Sequence, residues 1–269
     1  MTHAIFEKDG ITLHYRHGGS GLPLLLLHGF GEDSRIFDHC LPTLQQVATC
    51  IVPDLPGSGR SPCPWVAGHA QRLENMSQLL WQLLDELGIE KAVVLGHSMG
   101  GYIALCMHQQ ASGRMLGWGL LHSTAFADSE EKKATRRKAI QFIQQHGAQA
   151  FLQTAIPGLF APAFAEANAA VVQQLMADGA GFSPAALIDY YEAMIARPDR
   201  TAELQRSQVP VLFVLGELDK AAPYADLLQQ VAMPDHAHIT VLRHVAHMGM
   251  LEQPAAFEAA LVQFLQSLV

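Results

Sequence analysis

The sequence holds no run of 18 or more apolar residues, so it offers no candidate for a helix that crosses a membrane. Its longest early apolar burst, LPLLLL at 22–27, is too short for the apolar stretch of a secretory signal and follows a polar, charged beginning, MTHAIFEKDG. No targeting segment is expected. Cysteine is sparse: Cys40, Cys50, Cys63 and Cys106 show neither C-x-x-C spacing nor the density of a disulfide scaffold. They are expected to be buried or incidental thiols in a reducing cytoplasm. The 14 histidines include no H-E-x-x-H and no Cys/His ligand spacing, so no metal is expected.

Positive charge is also scarce, with 17 Lys and Arg against 25 Asp and Glu. It gathers only in EEKKATRRK at 130–138, where acids interleave with bases. That mixture reads as a solvated helix face and speaks against a nucleic-acid partner. DLPGSGRS at 54–61 lacks the G-K-[ST] ending of a phosphate loop and the G-x-G-x-x-G spacing of a dinucleotide site, so it is read as a structural turn and no cofactor is implied.

What is present is a chain of 269 residues, 49% hydrophobic and 16% charged, which suits one soluble α/β domain with room for an insertion. AIFEKDGITLHYR at 4–16 predicts a hairpin turning at Asp9-Gly10. Strands follow in PLLLLHG, TCIVPDLPG, KAVVLG, LGWGLLHST, VPVLFVLGELD and HITVLRH, separated by helical patterns such as RLENMSQLLWQLLDELG at 72–88. This alternation is the sequence form of a mostly parallel sheet flanked by helices. Between about Ala125 and Ser207 the strand rhythm stops, and Ala/Gln-rich helical segments run between breaks at Pro157, Pro162, GAGFSP and Pro198. Residues 1–124 and 207–269 are therefore expected to form the core, and 125–206 a helical cap.

VVLGHSMGGYIAL at 93–105 places Ser98 among Gly96, Gly100 and Gly101 where a buried strand hands over to a helix. G-x-S-x-G in that context is the signature of a sharp turn that lifts a serine clear of the sheet, the glycines leaving space where strand and helix approach closely. A serine hydroxyl becomes a useful nucleophile only when a histidine takes its proton and an acid orients that histidine. Asp219, at the end of VLFVLGELD, and His247, in RHVAHMGMLEQP, follow in the required chain order. Glu217 is a rival acid and His244 a rival base. LLLLHGFGED at 24–33 offers a tight turn whose Phe30 N–H, together with that of Met99, is a candidate oxyanion hole. His28 is expected to be structural.

On these residues the chain resembles the α/β-hydrolase superfamily along nearly all its length, and is most similar to the small cytoplasmic carboxylesterase, enol-lactonase and C–C hydrolase branches. HGFG (28–31), DLPGSGRS (54–61), GHSMGG (96–101), GELD (216–219) and HMGMLEQP (247–254) carry the resemblance. It implies Ser98 as nucleophile, His247 as base, Asp219 as its orienter and Phe30 and Met99 as oxyanion-hole amides. A serine where haloalkane dehalogenases and many epoxide hydrolases carry aspartate argues against those branches. Ala246 departs from the glycine common before the family's histidine. The implied activity is cleavage of a small ester or lactone through an acyl-enzyme, with no cofactor, metal, nucleic-acid or membrane partner. A C–C hydrolase, a cofactor-free perhydrolase and a ligand-binding receptor of the same fold remain open, as does the oligomeric state. In the cap, Phe151, Phe160, Phe164 and Met194 are candidates for a pocket lining or for plain helix core, and Arg136, Arg137 and Arg197 are expected at the surface.

Overall fold

A computed structural model describes residues 1–63 and 72–269. The chain opens with β1 (Thr2–Lys8) and β2 (Ile11–Gly19), paired antiparallel with Lys8 opposite Ile11. The two-residue link Asp9-Gly10 has φ of 50° and 79°, the pair of positive values that a type I′ hairpin turn demands. The predicted hairpin is present.

The parallel strands are β3 (Leu22–Leu27), β4 (Ala48–Pro53), β5 (Ala92–His97), β6 (Met115–Leu121), β7 (Val211–Gly216) and β8 (Ala237–Leu242). With the hairpin they form one eight-stranded sheet in the order β1-β2-β4-β3-β5-β6-β7-β8, antiparallel only where β1 meets β2 and β2 meets β4. Strands covered on both faces read as continuous apolar runs, and β5 and β7 are buried at every residue.

The helices are α1 (Leu41–Leu44), α2 (Arg72–Glu86), α3 (Met99–Ala111), α4 (Glu130–Ala155), α5 (Pro162–Ala167), α6 (Ala169–Asp178), α7 (Pro184–Ala196), α8 (Thr201–Gln205), α9 (Tyr224–Leu228), α10 (Gly249–Glu252) and α11 (Pro254–Gln266). In α2, Leu79, Leu80, Leu83 and Leu84 recur at helical spacing and are all buried, each contributing about 1.5–3 kcal/mol. The helix packs on α3 and the chain turns away at Gly88, φ 69°. α4 to α8 all lie between β6 and β7 in the chain. α4 is interrupted at Gly147, φ 85°, and packs on α7. α7 starts as its sequence predicts: Ser183 caps it by accepting from Ala186 N–H at 3.1 Å, and Pro184 follows.

Cys40, Cys50 and Cys106 are free thiols. Burial pushes the thiols of Cys40, Cys50 and Cys106 up to about 12, which keeps them protonated and inert. Among the described residues, no helix is long and apolar enough to cross a membrane.

Candidate active site

Strand order gathers the motifs at one edge of the sheet. β3, β5, β7 and β8 run parallel, so their C-terminal ends present the turn 28–31, Ser98, Asp219 and His247 on the same side, the edge where open α/β sheets bind ligands. Ser98 follows β5 at φ 51°, ψ −114°, a region an L-residue occupies only when its surroundings impose it. The glycines show what imposes it. A Cβ on Gly96 would lie 2.2 Å from backbone atoms of Gly100, and one on Gly100 would lie 2.3 Å from the Leu27 carbonyl oxygen. Any side chain at either position would force strand and helix apart. Ser98 N–H donates to Leu121 O at 2.9 Å, and its carbonyl accepts from Ser123 Oγ at 2.7 Å. The backbone is thus fixed on both sides of the residue.

Three side chains separated widely in sequence meet here. Ser98 Oγ lies 2.9 Å from His247 Nε2, and His247 Nδ1 lies 2.8 Å from Asp219 Oδ2. Asp219 Oδ1 accepts from Ala221 N–H and Ala222 N–H, both at 2.8 Å. Burial alone would raise the Asp219 carboxyl, but His247 and His122 facing it hold it far below its ordinary value. It is therefore ionised, and His247 Nδ1 carries the proton that it receives. His122 is completely buried, with its Nδ1 3.4 Å from Asp219 Oδ2 and neither ring nitrogen in a hydrogen bond. Burial lowers it to about 4, so it is neutral at pH 7. Among the described residues, His122, Asp219 and His247 are the group that could offer a cation three donor atoms, all within 4.8 Å. Both His247 ring nitrogens are already engaged, Nδ1 with Asp219 and Nε2 with Ser98.

The two rivals pair with each other elsewhere. Glu217 Oε2 accepts from His244 N–H at 2.9 Å, and the His244 side chain is 86% exposed. His28 is structural as expected: buried, with Nε2 accepting from Leu55 N–H at 2.9 Å and Nδ1 2.8 Å from Gly29 O. The DLPGSGRS segment is a structural turn, Asp54 accepting from Ser34 N–H and Arg60 N–H, both at 2.9 Å. Met99 is the first residue of α3, where backbone N–H groups have no partner within the helix and the helix dipole is positive. Phe30 N–H, on the turn beside Ser98, likewise donates to no other described residue.

A second buried pair stands behind Ser98 that sequence reading did not assign. His97 Nδ1–H donates to Glu32 Oε2 at 2.9 Å, and its Nε2–H donates to the His247 carbonyl at 3.0 Å. Glu32 also accepts from Gly29 N–H at 2.8 Å. Burial disfavours charge on both, yet each raises the charged form of the other, so Glu32 lies below and His97 above its ordinary value. The pair thus ties the turn 28–31 to the His247 segment. Glu252 holds that segment from its other end, accepting from Ala246 N–H, Met248 N–H and Ala161 N–H. Both acids sit inside the quoted HGFGED and HMGMLEQP motifs. A carboxylate amid buried motif residues was the available signal.

Around Ser98 and His247 lies a chamber of about 140 Å³, lined also by Phe30, Tyr102, Lys132, Arg136, Tyr191 and Met194. Met194 thus lines it, whereas Phe151 packs edge-on against Phe30 and Tyr191, and Phe160 stacks on Phe164. The reading of EEKKATRRK as a solvated face needs correction. Arg137 is exposed, but Lys132 and Arg136, one helical turn apart, face the chamber. Arg197 is not at the surface either: its guanidinium lies 3.9 Å over the Tyr102 ring and binds Asp128 at 2.9 Å. Charge alone does not reveal a helix's inward face when the helix covers a polar cavity.

The model of the alpha/beta hydrolase family matches residues 24–260, and the chain belongs to that family. It is 31% identical over 271 residues to the dihydrolipoyllysine-residue acetyltransferase component of the acetoin cleaving system of Cupriavidus necator, covering 96% of this chain and 68% of that one. The chain therefore spans about two thirds of that relative's length. It is 28% identical to 3-oxoadipate enol-lactonase 2 of Acinetobacter baylyi, over 93% of this chain and 91% of that one. Among solved structures, a malate-bound thermophilic esterase from Thermogutta terrifontis superposes with a TM-score of 0.90 at 26% identity, over 100% of this chain and 99% of that one.

Proposed function

We propose that the protein is a serine hydrolase that cleaves a small carboxylic ester or lactone through an acyl-enzyme on Ser98. The observation that carries this reading is the unbroken hydrogen-bonded line from Ser98 Oγ through His247 to Asp219, at 2.9 Å and 2.8 Å. Ser98 Oγ attacks the acyl carbonyl while His247 Nε2 takes its proton, and Asp219 holds the ring in the competent tautomer and balances the imidazolium. The Phe30 and Met99 N–H groups receive the charge that develops on the carbonyl oxygen. His247 then protonates the departing alkoxide. Water, deprotonated by the same ring, releases the acid and restores Ser98. Residues 125–206 act as the cap that covers the substrate.

The enol-lactonase and esterase relatives support this reading over a receptor of the same fold. A fluorophosphonate probe should label Ser98, and nitrophenyl esters of short and medium acyl chains should be hydrolysed. Ser98→Ala should abolish both. No label and no hydrolysis of any ester by the wild type would overturn the proposal in favour of a receptor.

A further inference from the structure

The chamber that holds Ser98 is short of negative charge on its helical side. Arg136, with its side chain 13% exposed, contacts Asp128 through Nε at 2.6 Å and Nη2 at 3.5 Å. Asp128 is shared, because Arg197 Nη2 binds its other oxygen. Lys132 Nζ donates to the Ala221 carbonyl at 2.5 Å, and no carboxylate lies within 4.0 Å of it among the described residues. Two guanidinium groups thus share one carboxylate, and the Lys132 ammonium has none. The chamber's own acid, Glu32, is committed to His97 and Gly29. The acids of the adjoining cavity of about 940 Å³ compensate little: Glu131 and Asp199 are exposed, Asp199 is bound to Thr201, and Asp226 shares the cavity lining with Lys220.

Donors are left over at the same place. Among the described residues, no acceptor engages Arg136 Nη1 or the Tyr102 hydroxyl, and two of the three Lys132 N–H bonds are free. Burial would raise the Tyr102 phenol, but Arg197, Lys132 and Arg136 bring it below its ordinary value, a sign of the positive potential that an incoming group meets. Lys132 and Arg136 are half-buried and keep donors to spare, and a planar guanidinium with an ammonium beside it matches a carboxylate. Because these groups line the chamber of Ser98 itself, the anion must belong to the substrate and lie close to its scissile carbonyl.

We infer that Lys132, Arg136 and Tyr102 form a carboxylate subsite, so that the preferred substrate is an ester or lactone bearing a free carboxylate a few atoms from the bond cleaved. This rests on the serine-hydrolase reading. The test compares half-esters of succinate, glutarate and adipate with the neutral diesters of the same acids, using the purified full chain. The wild type should prefer the half-esters in kcat/KM. Arg136→Gln and Lys132→Met should each shrink that preference about 10- to 100-fold, while Arg137→Gln, on the exposed side of the same helix, should leave it unchanged.

A binding measurement separates the two readings. Monomethyl succinate, glutarate and adipate are titrated calorimetrically into Ser98→Ala protein, with and without Arg136→Gln or Lys132→Met, each variant's folding being verified by its thermal midpoint. At least one half-ester should bind, and each cation substitution should weaken it tenfold or more. Hydrolysis of neutral esters with no half-ester preference and no binding would overturn the subsite and leave the hydrolase standing. Binding that needs Arg136, without labelling of Ser98 or turnover of any ester, would support the subsite and sink the hydrolase.

Discussion

On the sheet side of the chamber the buried charges are closed against partners, Asp219 with His247 and Glu32 with His97, whereas on the helical side Lys132 and Arg136 keep N–H groups without acceptors. The sheet side uses its charges to hold its own groups in place, and the helical side keeps donors to spare. On the proposed function and subsite, reaction and selection are divided between two walls. Substitutions on the first should lower turnover of every substrate, and substitutions on the second should discriminate among substrates.

The largest expected effect tests the first wall. Asp219→Asn preserves shape but removes the charge that balances the imidazolium, with a loss in kcat on the order of 10⁴-fold for half-esters and neutral esters alike. Steady-state kinetics on one substrate of each kind checks it. A loss confined to the half-esters would break the division, because Asp219 would then be acting on selection.

The same division governs what could be read in the sequence. Gly96, Ser98 and Gly100 were legible because a strand, a strained residue and a helix meet within five positions, so that local backbone geometry dictates residue type. Asp219 and His247 were legible because each follows a strand whose end fixes its location, buried throughout in β7 and only at Leu242 in β8. Lys132 and Arg136, 34 and 38 residues after Ser98 (132 − 98 and 136 − 98), were not, because what makes them face inward is the packing of α4 over a polar chamber, and nothing in EEKKATRRK encodes that contact. Glu32 fell between the two cases. Its position was in view, but its partner His97 lies 65 residues away and is found only when β3 and β5 are laid side by side.

A smaller effect sharpens the account of the sheet wall by pH. His97 is raised, so its contribution to stability is complete below its ordinary value near 6.5 and is lost as pH climbs through the raised value. Glu32 is lowered, so its contribution is complete above about 4.5 and is lost as pH falls through the lowered value. The pair therefore stabilises most between those limits. Glu32→Gln leaves one member of a buried pair without its counter-charge, at about 3–5 kcal/mol, or on the order of 10 °C in thermal midpoint. That gap should be widest near pH 6 and narrow as pH climbs through the raised His97 value, where the wild type loses the imidazolium. A gap independent of pH in thermal melts would show that the pair is held by neutral hydrogen bonds.

The smallest expected effect concerns two residues whose side chains lie outside the chamber altogether. Residues two apart on a strand share a side, so Glu217 would compete with Asp219 if β7 ran through both. It stops at Gly216, and the following turn, closed by Asp219 N–H on Gly216 O at 3.2 Å, leaves Asp219 pointing inward and Glu217 bound outside to His244 N–H. Exposed groups that touch neither the chamber nor its supports contribute little, so Glu217→Gln and His244→Ala should each change kcat/KM on an activated ester by no more than about twofold. The measurement that decides it sets both beside Asp219→Asn. A crippled Glu217→Gln with an active Asp219→Asn would transfer the orienting role, and equal modest losses would mean that the turn after β7 lets either carboxylate reach His247.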